Sequence, residues 1–276
     1  MSKVFSNKII LLLSVISLVF FLNSCTINKS KIDNNLKKYF DSSNVDGCFA
    51  LLNNSTGNIT IYNKDLYLKR FLPASTFKIM NALIGLETGK ITDPKMVIPW
   101  DHVVRSNPGW NKDLTMEEAF KISAVNYFQE VARRIGHDTM KRWIDSVRYG
   151  NMNINGPVDS FWLNNTLKIT PDEQLGLVKK LYFDKLPFQK GVQQTVRDVM
   201  LRESNTLYKL SYKTGLGYDE QNNTIGWIVG WLEENRHVYF FVTLVNTPDK
   251  NIDVQKVRLN ITMGILNHLG FLKGEM

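Results

Sequence analysis

The sequence predicts an α+β domain: an antiparallel sheet, assembled from both ends of the chain and flanked by helices, with an inserted, mostly helical lobe. Three observations predict it. Strand-like stretches fall in two groups, Asp46 to Tyr62 and Leu207 to Val245; helical periodicity dominates the interval from about 90 to 200; and an amphipathic segment from about Val254 to Leu269 follows the last strand. The order strand pair, helix, helical lobe, three strands, helix is not the alternation that builds a parallel sheet.

Residues 1–24 read as a leader. Lys3 and Lys8 form a basic start, Ile9 to Leu22 is almost unbroken apolar chain, and Ser24 precedes Cys25. This is the plan of an export signal, and the apolar run is short against the ~20 residues a membrane-spanning helix needs. The small residue before Cys25 suggests a lipoprotein signal, with Cys25 lipidated and the mature protein exported, periplasmic or at the cell surface, and anchored to a membrane. Residues 25–45 read as a tether and N-terminal segment, polar from Thr26 to Lys31, and 46–276 as the functional domain.

Within that domain, Asp46 to Tyr62 is a hairpin turning at Asn53 to Asn58. From Ser75 to Leu86 apolar residues recur nearly all round, Pro73 precedes them and Gly89 stops them, so a buried helix begins close to Ser75. Thr115 to Ala124, Tyr127 to Ile135 and Pro171 to Tyr182 carry further helical patterns, and Leu207 to Thr214, Thr224 to Trp231 and His237 to Val245 read as strands. Cys48 lies in the first strand as a buried apolar filler, and with Cys25 lipidated no disulfide forms.

Composition excludes several classes. With 43% hydrophobic residues among 276 the chain has an ample core, and Gly and Pro show no period, so disorder and solenoids are excluded. The net charge of +8 is spread thinly, in pairs such as Lys37-Lys38 and Arg133-Arg134 rather than an aromatic-laced stripe, so no nucleic-acid partner is expected. His102, His137, His237 and His268 show no metal-ligand spacing and no GxSxG partner accompanies them; each reads as a surface or boundary residue, and no metal is expected.

A nucleophile here must therefore be activated by something other than His. Ser75-x-x-Lys78 offers one: three residues on a helix place both side chains on one face, where the lysine amine or a derivative of it reaches the hydroxyl. Lys213-Thr214-Gly215, on a strand far downstream, offers a cation, a hydroxyl and a Gly that permits close approach. Each motif alone also fits an ordinary helix start or a strand ending in a turn. Together, in this order around a helical lobe, they form the serine–lysine acyl-transfer pattern of penicillin-binding proteins and class A β-lactamases.

Five motifs in order carry a narrower resemblance: Pro73-Ala74-Ser75-Thr76-Phe77-Lys78, Ser123-Ala124-Val125, Tyr149-Gly150-Asn151, Phe161-Trp162-Leu163 and Lys213-Thr214-Gly215. From about Gly47 to Leu269 the chain closely resembles the class D (OXA-type, oxacillin-hydrolysing) serine β-lactamases. The resemblance implies the serine β-lactamase/penicillin-binding fold and hydrolysis of β-lactam rings through a serine acyl-enzyme, giving antibiotic resistance.

It further implies that Ser75 is the nucleophile and that Lys78, as N6-carboxylysine, is the general base; no cofactor is needed beyond the carbon dioxide or bicarbonate that carboxylates it. Only an uncharged amine reacts with carbon dioxide, so burial has to lower the Lys78 pKa, and Phe77, Val125 and Trp162 are candidates for the apolar shell. By the same resemblance the Trp162 indole donates to the carbamate, Ser123 relays a proton to the leaving nitrogen, and Lys213 holds Ser123 and favours the anionic substrate. The backbone N–H groups of Ser75 and Leu216 form the oxyanion hole beside Gly215. Arg258, with the Thr214 hydroxyl, binds the substrate carboxylate. Asn126 after Ser-Ala-Val and Leu216 after Lys-Thr-Gly depart from the commoner pattern and bear on substrate range.

Three other readings compete: a β-lactam sensor that stays acylated, a cell-wall transpeptidase that acylates without rapid turnover, and a non-catalytic lipoprotein module. The absence of a second apolar segment counts against the sensor, and Ser123-Ala124-Val125, Tyr149-Gly150-Asn151 and Trp162 count against the transpeptidase. Monomer and homodimer are both compatible with the sequence.

Overall fold

The computed structural model describes residues 29–273; the leader and Cys25 lie outside the described residues. In chain order the elements are β1 (Ser30–Ile32), α1 (Lys37–Asp41), β2 (Asp46–Asn53), β3 (Ile59–Tyr62), α2 (Lys64–Tyr67) and, after a 3-10 turn at Ala74–Phe77, α3 (Lys78–Glu87). A short strand pair, β4 (Val97–Ile98) and β5 (Leu114–Thr115), opens the lobe of α4 (Met116–Lys121), α5 (Val125–Ile135), α6 (His137–Val147), α7 (Pro171–Tyr182) and α8 (Lys190–Met200). The chain returns to the sheet with β6 (Leu201–Ser204), β7 (Tyr208–Tyr218), β8 (Thr224–Glu234) and β9 (His237–Thr247), then ends in α9 (Val254–His268).

The seven-stranded sheet runs β1-β3-β2-β9-β8-β7-β6, so the two chain ends meet where β2 pairs with β9. It is not purely antiparallel, as the sequence suggested: β1 pairs with β3 in parallel, Ser30 opposite Ile59. Three exposed residues read as tether supplied no signal for this; the pairing satisfies the otherwise open edge of β3. The hairpin and the boundaries of α7 stand as expected, whereas α6, α8 and β6 went unrecognised.

Strand β8 is buried on both faces, and its residues alternate between two cores. Trp227, Val229 and Trp231 face one shared with α3 and the lobe; Ile228 and Leu232 face the other, shared with Phe40, Ile261 and Ile265. Such a strand reads as a continuous apolar run because neither face meets water.

Local signals fix the helices around the site. Helix α3 is buried from Lys78 through Gly85, the all-round burial its apolar pattern implied, and the chain leaves it through Gly89 at φ +66°. Capping boxes start α4, Thr115 with Glu118, and α7, Thr170 with Glu173, each satisfying otherwise unpaired amides. Cys48 is free and buried, and desolvation pushes its thiol pKa up. All four histidines are exposed. Among the described residues no helix is long and apolar enough to cross a membrane.

Candidate active site

Ser75 sits in the 3-10 turn before α3, 8% exposed, while Lys78 opens the helix at 0%. The turn is held from outside: Ala74 donates its N–H to the Trp162 carbonyl at 3.1 Å, and Ala74 itself adopts φ +47°. A non-glycine residue there is strained by roughly 1–2 kcal/mol, so the surrounding contacts must over-determine it. From below, Gln174 of α7 donates to Thr76 Oγ1 at 2.6 Å, and that hydroxyl donates to the Pro73 carbonyl at 2.7 Å.

The expected Ser–Lys contact forms, with Lys78 Nζ donating to Ser75 Oγ at 2.7 Å. Around it lies an aromatic wall. Phe77 stacks on Trp162 at 5.3 Å and meets Tyr149 and Phe161 edge-on, and the ammonium lies 5.8 Å from the Phe128 ring centre. Burial alone lowers the Lys78 pKa from an ordinary 10.5 to about 7. The Trp162 indole Nε1 is buried and has no hydrogen-bond partner among the described residues. An orphaned buried donor of this kind needs an explanation.

Across the cleft, Lys213 is fully buried on β7 and donates to Ser123 Oγ and to the Thr214 carbonyl, both at 2.9 Å. Ser123 occupies the link between α4 and α5 at φ +61°, and half-buried Val125 starts α5. The Lys213 pKa is held well below the ordinary lysine range, by burial first and then by the charges of Lys78, Arg202 and Arg258. Lys213-Thr214-Gly215 lies inside the strand rather than at its end, Lys213 opposite Val229 and Gly215 opposite Trp227. A Cβ on Gly215 would sit 3.0 Å from the Pro73 carbonyl, so a bare backbone lets β7 approach the nucleophile turn.

Arg258 is buried, not a solvated helix residue. Its Nη1 donates to the Gly215 carbonyl, its Nε is without a partner among the described residues, and desolvation lowers its pKa to about 10. Thr214 and Leu216 are half-buried, and Asn126 donates to the Trp110 carbonyl at 3.2 Å. Sequence reasoning thus found Ser75, Lys78, Ser123 and Lys213 and the structure brings them together. It missed Phe128 and Gln174, for which only the α5 and α7 periodicity gave a signal, and it read Ala74 only as part of a motif, with no signal for its left-handed backbone.

A sequence profile of the penicillin binding protein transpeptidase domain matches residues 47–266. Beta-lactamase OXA-5 of Pseudomonas aeruginosa is 38% identical over 228 residues, covering 81% of this chain and 85% of its own. This chain belongs to the class D β-lactamase family. Solved structures agree: the class D β-lactamase YbXI from Nostoc superposes with a TM-score of 0.82 at 36% identity, over 87% of this chain and all of that one (100%). The C-terminal domain of the Bacillus licheniformis BlaR penicillin-receptor superposes at 0.83 with 30% identity, over 88% of this class D chain and 98% of the receptor domain. The α+β fold is that of the family.

Proposed function

We propose that this class D enzyme hydrolyses the β-lactam ring of penicillin-type antibiotics through an acyl-enzyme on Ser75, with Lys78 in carboxylated form as the base, and so confers resistance. The observation that carries the reading is a wholly buried lysine with a pKa of about 7, bonded to the serine and beside an orphaned indole donor. Near neutrality half of such amines are uncharged and open to carbon dioxide, whereas an ordinary lysine is almost wholly protonated. The residues fit the modification: Trp162 Nε1 is a free donor in a dry aromatic pocket, and the carbamate would supply an anionic general base there.

The chain's own groups account for the remaining chemistry. Ser75 Oγ attacks the ring carbonyl as its proton is drawn toward Lys78, and the backbone N–H groups of Ser75 and Leu216 stabilise the oxyanion. The C–N bond breaks, Ser123 gives its hydroxyl proton to the ring nitrogen, and Lys213 restores it and is itself reprotonated from solvent. Water then cleaves the ester and returns the Ser75 hydroxyl. Arg258 and Thr214 take the substrate carboxylate, whose charge also opposes the cations that depress the Lys213 pKa and favours its protonated form.

The test is turnover of a chromogenic cephalosporin by residues 26–276, with and without bicarbonate, and intact mass on the same samples. Hydrolysis stimulated by bicarbonate is expected. A stable adduct on Ser75 without turnover would assign the protein to the sensor reading, which the likeness to the BlaR receptor domain favours as the alternative. The proposal includes export behind the 1–24 leader and anchoring through Cys25. Replacing Cys25→Ser should move the protein from the membrane fraction to the soluble one, and unchanged fractionation would refute the anchor.

A further inference from the structure

Arg202 lies outside every motif that carries the family resemblance, yet its side chain bridges the two halves of the site. It sits on edge strand β6 where the ladder slips: Leu201 pairs with Ser211 and Glu203 with Leu210, leaving Arg202 unpaired in between. A bulge of this kind turns a side chain out of the regular alternation and is a recurrent device beside active sites. Here Arg202 Nε donates to the Tyr212 carbonyl at 3.2 Å and Nη1 to the Lys121 carbonyl, also at 3.2 Å. Its guanidinium carbon lies 5.7 Å from the Tyr212 ring centre.

The two acceptors are telling. Tyr212 immediately precedes Lys213, and Lys121 is the last residue of α4, two before Ser123. One planar fork therefore ties the strand that carries the lysine to the helix end that aims the serine, and a cation at a helix C-terminus is favoured by the helix dipole. Among the described residues no carboxylate pairs with this guanidinium, so its charge is not cancelled locally and adds to the field at Lys213.

We infer that Arg202 is a positioning residue, a clamp that sets the Ser123–Lys213 pair across the cleft and biases it electrostatically. The inference rests on the relay reading of Ser123 and Lys213. Two consequences separate a clamp from a plain structural contact. Its loss should act only through the pair it positions, and removing a like charge should raise the Lys213 pKa, which Arg258 also depresses and which burial depresses most. If the protonated Lys213 works, activity falls as pH rises through its pKa, so the high-pH limb moves upward when Arg202 is removed.

The experiment measures acylation by a penicillin against pH for the wild type, Arg202→Met, Arg202→Lys, Ser123→Ala and the double variant Arg202→Met/Ser123→Ala. Arg202→Met should lose about tenfold in kcat/KM, the scale of a lost charge-assisted hydrogen bond, and move the high-pH limb upward. Arg202→Lys keeps the charge and loses the fork; it should leave the limb in place and lose about threefold. On the Ser123→Ala background the Arg202→Met loss should shrink below about twofold. Additive losses, or an unmoved limb in Arg202→Met, would overturn the clamp alone. Full activity of Ser123→Ala by itself would mark the failure of the relay reading and take the clamp with it. Should Arg202→Met not fold, a high-pH limb in Arg202→Lys displaced from the wild type overturns the proposal.

Discussion

Lys78 and Lys213 face one cleft from opposite sides, both with side chains wholly buried, and both hold their protons more weakly than a lysine in water. The causes differ. Lys78 is low because it is dry, set among Phe77, Phe128 and Trp162, with no neighbouring charge needed to explain it. Lys213 is low because it is buried and also stands near Arg202 and Arg258 and, while its amine is unmodified, Lys78. A dry lysine is tuned by packing and stays tuned when substrate arrives. A lysine that is buried and also near cations is tuned by both, and the charge part of its shift responds to an anionic substrate. On the proposed reading, in which Arg258 takes a substrate carboxylate, the two sides are suited to different tasks: one to hold a base ready and the other to respond to binding.

Ser75→Ala breaks the comparison most completely. It removes the nucleophile common to both sides, and turnover should fall by roughly 10⁴-fold or more, with no covalent adduct in the intact mass. Retained turnover would refute the assignment.

Trp162→Phe keeps the Lys78 pocket dry while deleting its orphaned N–H. Activity should fall about a hundredfold at ambient carbon dioxide and be partly restored by added bicarbonate, because the donor and not the packing is lost. A loss that bicarbonate leaves untouched would show Trp162 to act only as a core aromatic.

Arg258→Leu probes the charged side. Losing the carboxylate partner should raise KM about tenfold or more while leaving the bicarbonate response of turnover unchanged. A changed bicarbonate response would mean that the two sides are not separable.

The smallest effect is on stability. Lys78 binds its proton below about 7 when folded but below 10.5 when unfolded, so the unfolded chain holds more protons between these values and stability rises with pH across that window. In bicarbonate-depleted buffer, Lys78→Met should therefore raise the melting temperature by several degrees at pH 6, and by less at pH 10. Equal shifts at both pH values would argue against a depressed pKa.

How much of this was legible in the sequence follows from how local each signal is. The long runs of β8 and β9, buried on both faces, and the all-round apolar helix after Ser75 announced themselves, and the order of elements implied a sheet shared by both chain ends. Helix α6 sets Met140, Trp143, Ile144 and Val147 at helical spacing against the core, so its stripe was legible in the sequence although it was passed over. Strand β1 has no buried residue. In the site, Ser75, Lys78 and Lys213 were readable because motif spacing records them. The left-handed turn at Ala74 and the bulge at Arg202 were not, because both depend on partners, the Trp162 carbonyl and the register of β7, that lie far away in sequence.

The central claim is that the dry pocket turns Lys78 into a carbon dioxide acceptor. The most direct test is carbon-13 NMR of the enzyme in labelled bicarbonate, read from pH 5 to 9 and repeated on Lys78→Ala. The account predicts a single carbamate resonance that is absent from the variant and fades as pH falls through about 7, in step with turnover. Vigorous turnover in the wild type with no carbamate resonance at any pH would contradict it.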